Sequence, residues 1–246
     1  MLGFDLVKNL GPYFSVTSIS HDNYDKHIST KFDVVINANG NSKRFWANQH
    51  PQEDFSASTA SVYKSIFDFP TDLYIYISSP DVYPDHAAPG STSELERIDS
   101  SKLSSYGFHK YLGELIVKKN KKKFLILRSS MILGTNLSKG PIYDIIHDRE
   151  IFVKPNSRLQ LITTKAIAEI IRVLIKERVV NETINMGGIG IFSFKSLDKV
   201  FDKKIKYSKE AESQIYEMNI KKLRAFYHNL KTSEKYLEEF LKDSHI

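Results

Sequence analysis

The sequence contains no cysteine, which excludes a disulfide framework, a thiolate metal site and a cysteine nucleophile. It also lacks an apolar run long enough to span a bilayer, and its first residues lack the basic start and apolar stretch of a secretory signal. The 8 histidines form no His-Glu-x-x-His pair, and no Gly-x-Ser-x-Gly turn occurs, so zinc-protease and serine-hydrolase signatures are absent. We therefore expect a cytoplasmic protein without a metal site and without a membrane partner.

Acidic residues are slightly outnumbered, since 35 Lys and Arg stand against 29 Asp and Glu and give a net charge of +6. The local source of this excess is the run at residues 118–123, in which only Asn120 is not a lysine. No aromatic residues interleave with these lysines, and no zinc-finger or basic-zipper pattern is present. We interpret the run as a solvated helix end and expect no nucleic-acid partner.

The pattern of the first half predicts a doubly wound α/β fold. A chain of 246 residues with 41% hydrophobic content can form one large domain or a domain with a small lobe. Short apolar runs at residues 14–20, 32–38, 73–78 and 124–128 are typical of parallel strands buried on both faces. Apolar residues at helical spacing predict helices at residues 2–10, 53–67 and 103–120. Such alternation favours a Rossmann-like parallel sheet with helices on both faces.

The pattern changes after Gly134. We predict short strands at residues 159–162 and 183–186, a short helix at 139–147, and a helix at 164–176 capped by Thr163 or Thr164. A further helix follows Ser193 and ends near residue 201, and amphipathic segments at 209–229 and 232–242 predict two more. We expect residues 1–135 to form the sheet domain and residues 136–246 to form mainly a small substrate-binding lobe, with some segments returning to the sheet.

The strongest chemical signal is a tyrosine and a lysine four residues apart in a predicted helix. Tyr106 and Lys110 share one helix face, and an ammonium beside a phenol stabilises the phenolate and lowers the pKa of the tyrosine. Such a tyrosine can exchange a proton with a hydroxyl that becomes a carbonyl. Ser78 and Ser79 end an apolar strand at the edge where open α/β sheets bind ligands. Either hydroxyl can bond the reacting oxygen, or both can bond the turn before Pro80.

The order of these motifs resembles the extended short-chain dehydrogenase/reductases, which are nucleotide-sugar epimerases, dehydratases and 4-ketoreductases. The resemblance covers nearly the whole chain. Its motifs are Asp33-Val-Val-Ile-Asn-Ala-Asn-Gly40, Pro51-Gln-Glu-Asp-Phe55, Ser78-Ser-Pro-Asp-Val-Tyr83, Tyr106-Gly-Phe-His-Lys110, Ile126-Leu-Arg-Ser-Ser-Met-Ile-Leu-Gly134 and Leu161-Ile-Thr-Thr-Lys-Ala-Ile-Ala168.

The resemblance implies a role for each of these residues. Tyr106 would be the acid/base, and Lys110 would lower its pKa and hold the nicotinamide ribose. Ser79 is the preferred hydroxyl partner because Tyr83 follows it at the family's spacing, and Ser78 is the alternative. The cofactor would be NAD, with NADP possible. Implied cofactor residues, besides Tyr106 and Lys110, are Gly3, Asp22, Asn37, Ala38, Asn39, Gly40 and Ser129. Implied substrate residues are Ser79, Asp81, Asn136 and Arg158, with Lys139 and Gln160 as weaker candidates.

The chain departs from the family pattern at its start and at Ser58. The first strand and the first two glycines of the family's opening turn are missing, so that Gly3 would be the third glycine. Two explanations stay open: the first Met lies inside a longer protein, or this is a short product with impaired cofactor binding. We predict that the 246-residue form binds a dinucleotide poorly. At Ser58 the family often has an asparagine that supports a proton relay.

The resemblance also implies the reaction and the assembly. We expect hydride transfer between NAD(P) and a sugar carbon of a nucleotide sugar, ending as reduction or epimerisation. Dehydration is disfavoured because Pro80 and Asp81 follow Ser79 without an Asp-Glu pair. The alternative is a non-catalytic homologue that binds a nucleotide sugar or a protein. A homodimer through the helices at 53–67 and 103–120 is implied, and we expect His109 to point away from Tyr106 and Lys110 and to be exposed.

Overall fold

The computed structural model describes residues 1–41 and 43–244. The helices are α1 Leu2–Leu10, α2 Arg44–Gln49, α3 Pro51–Phe55, α4 Ser61–Asp68, α5 Ser105–Asn120, α6 Pro141–Ile146, α7 Thr164–Lys176, α8 Leu197–Phe201, α9 Lys221–Phe226 and α10 Ser233–Asp243. The strands are β1 Phe32–Asn37, β2 Thr71–Ser78, β3 Phe124–Ser129, β4 Met131–Leu133, β5 Ile151–Val153, β6 Arg158–Leu159, β7 Leu161–Thr163, β8 Glu182–Met186, β9 Phe192–Ser193, β10 Tyr207–Glu212 and β11 Ile215–Tyr216.

A parallel sheet in the order β1-β2-β3-β8 forms the centre of the molecule. Alternate residues of β2 point to opposite faces: Ile75 and Ile77 pack with α1 and α7, whereas Tyr74 and Tyr76 pack with α4 and α5. Successive residues of a strand point to opposite faces of the sheet. Because both faces of this sheet are covered by helices, the strand needs apolar residues at consecutive positions, and its sequence is an unbroken apolar run. The doubly wound, Rossmann-like α/β fold predicted from the sequence is therefore confirmed.

Most predicted helices are confirmed. Residues 51–68 form one helical segment, in which a π-helical turn at Ser56–Ala60 joins α3 to α4. The helix α7 begins and ends as predicted, and Thr163 rather than Thr164 is its N-cap, since its side chain accepts a hydrogen bond from the amide of Ala166. Polar caps of this kind are readable in sequence because the interaction is local.

The prediction of a strand at residues 14–20 is wrong. None of the strands of the described residues pairs with this segment, and β1 is the last strand on that side of the sheet. The side chains of Tyr13, Phe14 and Val16 are exposed. Residues with high β-propensity favour a strand because their side chains pack well on a pleated, half-buried sheet surface. A segment of such residues forms no strand when no neighbouring strand accepts its backbone hydrogen bonds.

The prediction of one helix at residues 209–229 is also wrong. The segment contains most of β10, then β11 and α9. β10 and β11 pair in parallel with β5 and β6, so tertiary pairing overrides the helical pattern. The predicted strand at 159–162 is two strands, interrupted at Gln160, whose buried amide donates to the carbonyl of Gly188 over 2.8 Å.

A second apolar cluster lies outside the central sheet. It includes Leu133 and Ile142 near its beginning in the chain, Phe192 and Phe194 in the middle, and Phe240 from α10. The strand β8 belongs to the central sheet although it lies late in the chain. The boundary at residue 135 stays a prediction. In the part of the chain that the structure describes, no helix is both long and apolar enough to cross a membrane.

Candidate active site

The end of β2 distinguishes the two serines. Ser78 donates to Oε1 of Glu114 over 2.6 Å, and that carboxylate also accepts from Nε and Nη2 of Arg128 over 2.9 Å and 2.7 Å. All three side chains are buried. Ser78 is thus used by the core, because successive residues of a strand point to opposite faces.

Ser79 lies at the start of the 3-10 turn Pro80–Val82. Its hydroxyl donates to Oδ2 of Asp81 over 2.8 Å and accepts from the Asp81 amide over 3.3 Å. Its hydroxyl also lies near the side chain of Tyr106 and acts to lower the pKa of that phenol. Ser79 therefore caps the turn and lies beside Tyr106, and its chemical role stays a prediction.

The first turn of α5 places Tyr106 next to the 3-10 turn Pro80–Val82. Ser104 caps the helix by accepting from the Gly107 amide over 3.2 Å. A Cβ on Gly107 would lie 2.1 Å from the carbonyl oxygen of Asp81, so only glycine permits this approach of helix and turn. Tyr106 is consequently buried beside Ser79.

The pKa of Tyr106 is raised well above its usual value of 10.0, first by burial and then by the negative charge of Asp81. The hydrogen bond from Ser79 and the charge of Arg44 oppose this shift. The role of Lys110 in lowering the pKa of this phenol stays a prediction. Burial disfavours the phenolate more than the surrounding cations favour it, and Tyr106 is a protonated phenol at neutral pH.

Lys110 is buried beneath the edge of the sheet. Its Nζ donates to the carbonyl of Ile77 over 2.9 Å and lies 4.8 Å from the ring centroid of Tyr76. Burial lowers the pKa of Lys110 from 10.5 to about 8, and the carboxylates of Glu114 and Asp54 oppose the change. The lysine is held by backbone and aromatic ring, one turn along the helix from Tyr106.

The predicted cofactor residues after β1 form a tight loop. The Asn37 amide donates to Ser65 over 3.0 Å and to Tyr74 over 2.7 Å, and its Oδ1 accepts from the Asn39 amide over 2.9 Å. Asn37 thus shapes the loop that contains Ala38 from within. Gly40 has φ of +114°, a conformation that glycine adopts without strain.

Gly40 faces Lys110. A Cβ at this position would lie 3.7 Å from Nζ of Lys110 and 3.4 Å from Oγ of Ser58. At the end of β3, on the far side of β2, Ser129 and Ser130 are buried, and their hydroxyls have no partner within residues 1–41 and 43–244. Unpaired buried hydroxyls need an explanation, and a ligand beside β3 would supply one.

Asp81 connects three elements across the site. Its Oδ1 accepts from Nη1 of Arg44 over 3.3 Å and from the Tyr216 hydroxyl over 3.0 Å. The Arg44 guanidinium lies 5.5 Å from the Tyr216 ring centroid, and the His86 ring stacks on that ring at 3.9 Å. Sequence reasoning missed Arg44, Tyr216 and His86. Local spacing gives no signal for them, because α2, β11 and the loop after β2 meet only in the folded chain.

Four predicted residues lie away from this constellation or on its margin. Gly3 lies in α1, and a Cβ there would meet nothing within 4 Å. Asp22 is in the exposed 3-10 helix His21–His27, with its side chain 95% exposed. Asn136 is exposed in the loop after β4, and Arg158 is exposed on β6, opposite Ile215.

The two weaker candidates for substrate binding, Gln160 and Lys139, differ in their burial and contacts. Gln160 is buried and structural, since its Oε1 accepts from the Met218 amide over 3.1 Å. Lys139 is half-buried. Burial lowers its pKa to about 8, and the positive charge of Lys43 adds to the effect. An anion bound between the ammonium groups of Lys43 and Lys139 would offset the repulsion between them.

The expectation that His109 is exposed is wrong. Its Nδ1 donates to Oδ2 of Asp54 over 2.7 Å, and the two side chains are 8% and 0% exposed. The π-helical turn places Thr59 against α5, where its hydroxyl donates to the His109 carbonyl over 3.1 Å. The side of α5 that carries His109 is therefore covered by α3 and the π-helical turn.

Comparison with known proteins identifies the family and the fold of this chain. Residues 14–148 match the model of the NAD dependent epimerase/dehydratase family. The chain is similar to a dTDP-4-dehydrorhamnose reductase from Bacillus anthracis in complex with NADP, with a TM-score of 0.82 and 18% identity over 98% of this chain and 94% of that chain. A UDP-galactose 4-epimerase is similar with a TM-score of 0.76 and 17% identity over 99% of this chain and 96% of that chain.

A dTDP-4-dehydrorhamnose reductase ortholog from Clostridium acetobutylicum is similar with a TM-score of 0.79 and 17% identity over 100% of this chain and 96% of that chain. At such identities, likeness to solved structures shows the fold alone. A sequence comparison with curated proteins gave no significant match.

Proposed function

This chain belongs to the NAD-dependent epimerase/dehydratase family, and on that premise we propose that it transfers hydride between NAD(P) and a sugar carbon of a nucleotide sugar. One observation carries the proposal. Ser79, Tyr106 and Lys110 gather at the carboxyl end of β2, beside the loop after β1. Ligands of open α/β sheets bind at that edge.

The nicotinamide half of the cofactor fits the residues that are present. Gly40 provides a side-chain-free approach next to Lys110, and the hydroxyls of Ser129 and Ser130, which have no partner in the described residues, lie at the end of β3 on the far side of β2. When bound, the cofactor supplies or accepts the hydride. Lys110 would hold the nicotinamide ribose through its ammonium, and Asn37 would keep the loop in shape.

The protonation state of the site favours reduction of a carbonyl. Tyr106 is a buried phenol with a raised pKa, so it starts with a proton to give. As the sugar carbonyl carbon accepts hydride, Tyr106 gives its proton to the oxygen, and Ser79 donates a hydrogen bond to the same oxygen. An epimerase begins with oxidation, which needs a phenolate base. We therefore favour a 4-ketoreductase over an epimerase.

The substrate would be anchored on the side of Asp81. Arg44 presents positive charge there, Lys139 lies near Lys43, the residue before Arg44, and guanidinium groups bind phosphates with two hydrogen bonds. The stacked rings of His86 and Tyr216 form an aromatic wall that suits a nucleobase or a sugar face. We also propose that Arg158 and Asn136 contact the substrate at the margin of the site.

A screen of nucleotide sugars, followed by the absorbance of the reduced nicotinamide, tests the proposal. We expect turnover with one of them, and we expect Tyr106→Phe to lower kcat by about 1,000-fold while the urea midpoint of unfolding is unchanged. Phenylalanine removes only the hydroxyl that transfers the proton. Equal rates for Tyr106→Phe and wild type would contradict the assignment of the acid/base.

A non-catalytic binder is the second candidate, and the exposed positions of Gly3 and Asp22 favour it. Such a protein would bind a nucleotide sugar in calorimetry but oxidise no reduced nicotinamide in any sugar screen.

Assembly as a homodimer is part of the proposal. The helical segment 51–68 exposes Phe55, Tyr63 and Phe67, and α5 exposes Phe108 and Leu115. Large apolar side chains clustered on neighbouring helices are typical of a protein interface. Sedimentation should give twice the 28.3 kDa mass of the chain. A cytoplasmic location is likewise proposed.

A further inference from the structure

The short helix α2 lies beside the site, and none of the proposed chemical steps uses its residue Asn48. Oδ1 of Asn48 accepts a hydrogen bond from the backbone amide of Tyr106 over 3.3 Å. Tyr106 is the second residue of α5, and the first four amides of a helix have no acceptor within that helix. Ser104 accepts from the Gly107 amide, whereas the Tyr106 amide is bonded to a side chain from a different element.

The same helix also contacts the turn that follows Ser79. Arg44 precedes Asn48 by four residues, so both side chains lie on one face of α2. Nη1 of Arg44 donates to Oδ1 of Asp81 over 3.3 Å, and Oδ2 of Asp81 accepts from the Ser79 hydroxyl over 2.8 Å. One face of α2 therefore holds both the turn after Ser79 and the first turn of α5.

Contacts outside the site keep α2 in place. The side chain of Ala47 is completely buried, and the Trp46 ring stacks on the His50 ring with 4.8 Å between their centroids. The His50 amide donates to the Trp46 carbonyl over 2.8 Å, and the next helix, α3, begins at Pro51. Because α2 is packed on one side and continues into α3, it is a fixed support for the residues that it bonds.

The turn and α5 also touch each other directly, where a Cβ on Gly107 would lie 2.1 Å from the Asp81 carbonyl oxygen. This contact limits how closely α5 approaches the turn, but a single contact allows the end of the helix to tilt about it. The bonds from Arg44 and Asn48 add two further points of attachment, which oppose such a tilt. Asn48 is exposed, so we expect its bond to affect the placement of Tyr106 more than the stability of the fold.

We propose that Asn48 is a positioning residue that holds the first turn of α5 from α2 and, together with Arg44, fixes the spacing between Ser79 and Tyr106. A misplacement of about 1 Å in a reacting group can cost about 100-fold in rate, so a loose helix end would slow proton transfer by Tyr106. The consequence for turnover rests on the proposed function. The attachment of Tyr106 to α2 does not, because it is a property of the protein without any ligand.

Hydrogen exchange of the backbone amides, followed by NMR, tests the attachment in the free protein. We expect Asn48→Ala to accelerate exchange at the Tyr106 amide by about 10-fold, because the acceptor of this amide is removed. The Phe108 amide donates to the Ser104 carbonyl over 2.8 Å and should exchange as in wild type. Asn48→Asp should keep the slow exchange at Tyr106, since a carboxylate oxygen accepts the same bond.

Kinetics with the nucleotide sugar found in the screen test the consequence for turnover. We expect Asn48→Ala to lower kcat by about 10-fold and to leave KM within about twofold of wild type, because Asn48 bonds the helix and not the substrate. Asn48→Asp should recover most of the lost kcat. Gln49→Ala alters the next exposed residue of α2 and should leave both constants unchanged.

Unchanged exchange at Tyr106 in Asn48→Ala would overturn the proposal. Equal acceleration at Tyr106 and Phe108 would also overturn it, because the whole helix end would then be fraying, and so would an unchanged kcat. If Asn48→Ala does not fold, Asn48→Ser takes its place, since the serine side chain is too short to reach the amide. A sugar screen without turnover would contradict the proposed function, and the exchange rates would still decide this inference.

Discussion

The two sides of β1 differ sharply. On the β2 side, the ends of the strands carry buried polar groups that are paired with one another, such as Asn37 with Tyr74 and Ser78 with Glu114. On the other side, residues 11–18 are exposed and join no strand, and the middle of β1 is only half-buried. Polar side chains form an organised site where neighbouring strands and helices exclude water, and similar sequence patterns remain open where no neighbour is present.

Removal of a buried charge on the β2 side should give the largest effect. We expect Glu114→Ala to lower the free energy of unfolding by about 3–5 kcal/mol, because Arg128 would be left buried and unpaired. Val16→Ala, on the open side, should change it by less than about 0.5 kcal/mol. Urea unfolding measures both, and similar losses would remove the contrast between the two regions.

Two glycines sharpen the same comparison. Gly107→Ala should cost about 1–3 kcal/mol, because the new Cβ would lie 2.1 Å from the Asp81 carbonyl and force α5 away from the turn. Gly3→Ala should stabilise the protein by about 0.5 kcal/mol, since its Cβ would meet nothing and alanine favours a helix. Thermal unfolding of the two variants measures both changes, and a lower midpoint for Gly107→Ala but not for Gly3→Ala would distinguish the closely packed glycine from the exposed one.

The pH dependence of stability should identify Lys110. Its pKa is about 8 in the folded protein and 10.5 without burial, so the folded state releases this proton first. Its unfavourable burial is fully present below pH 8 and is relieved as the pH rises toward 10.5. Lys110→Met should therefore be more stable than wild type at pH 7, and the difference should shrink in alkali. A constant difference from pH 6 to 10 would contradict the lowered pKa.

The smallest expected signal is the heat of dinucleotide binding. We predict weak binding by the 246-residue chain, because Gly3 and Asp22, the residues expected on the pyrophosphate and adenosine side, lie exposed and apart from Lys110. Calorimetry measures the affinity directly. Micromolar binding of NAD or NADP would contradict this prediction and would show that the exposed side of β1 does not weaken the binding of the dinucleotide.

Predictions from local spacing and from local composition succeeded to different degrees. The i to i+4 relation of Tyr106 and Lys110 and the cap at Thr163 are properties of a single helix, and the structure has both. The pKa of Tyr106 could not be predicted from spacing alone, since burial and the charge of Asp81 raise it and both act through the fold. His109 was placed on the wrong surface, because sequence periodicity does not show that α3 covers that side of α5.

The sequence by itself determined the alternation of strands and helices, the helix that carries Tyr106 and Lys110, and the strand end with two serines, since each depends on residues close together in the chain. Only the tertiary structure decided that Ser78 is bonded within the core whereas Ser79 bonds Asp81, that Arg44, His86 and Tyr216 gather around Asp81, and that residues 14–20 form no strand. Those outcomes depend on burial and on partners distant in sequence, and both exist only after the chain has folded.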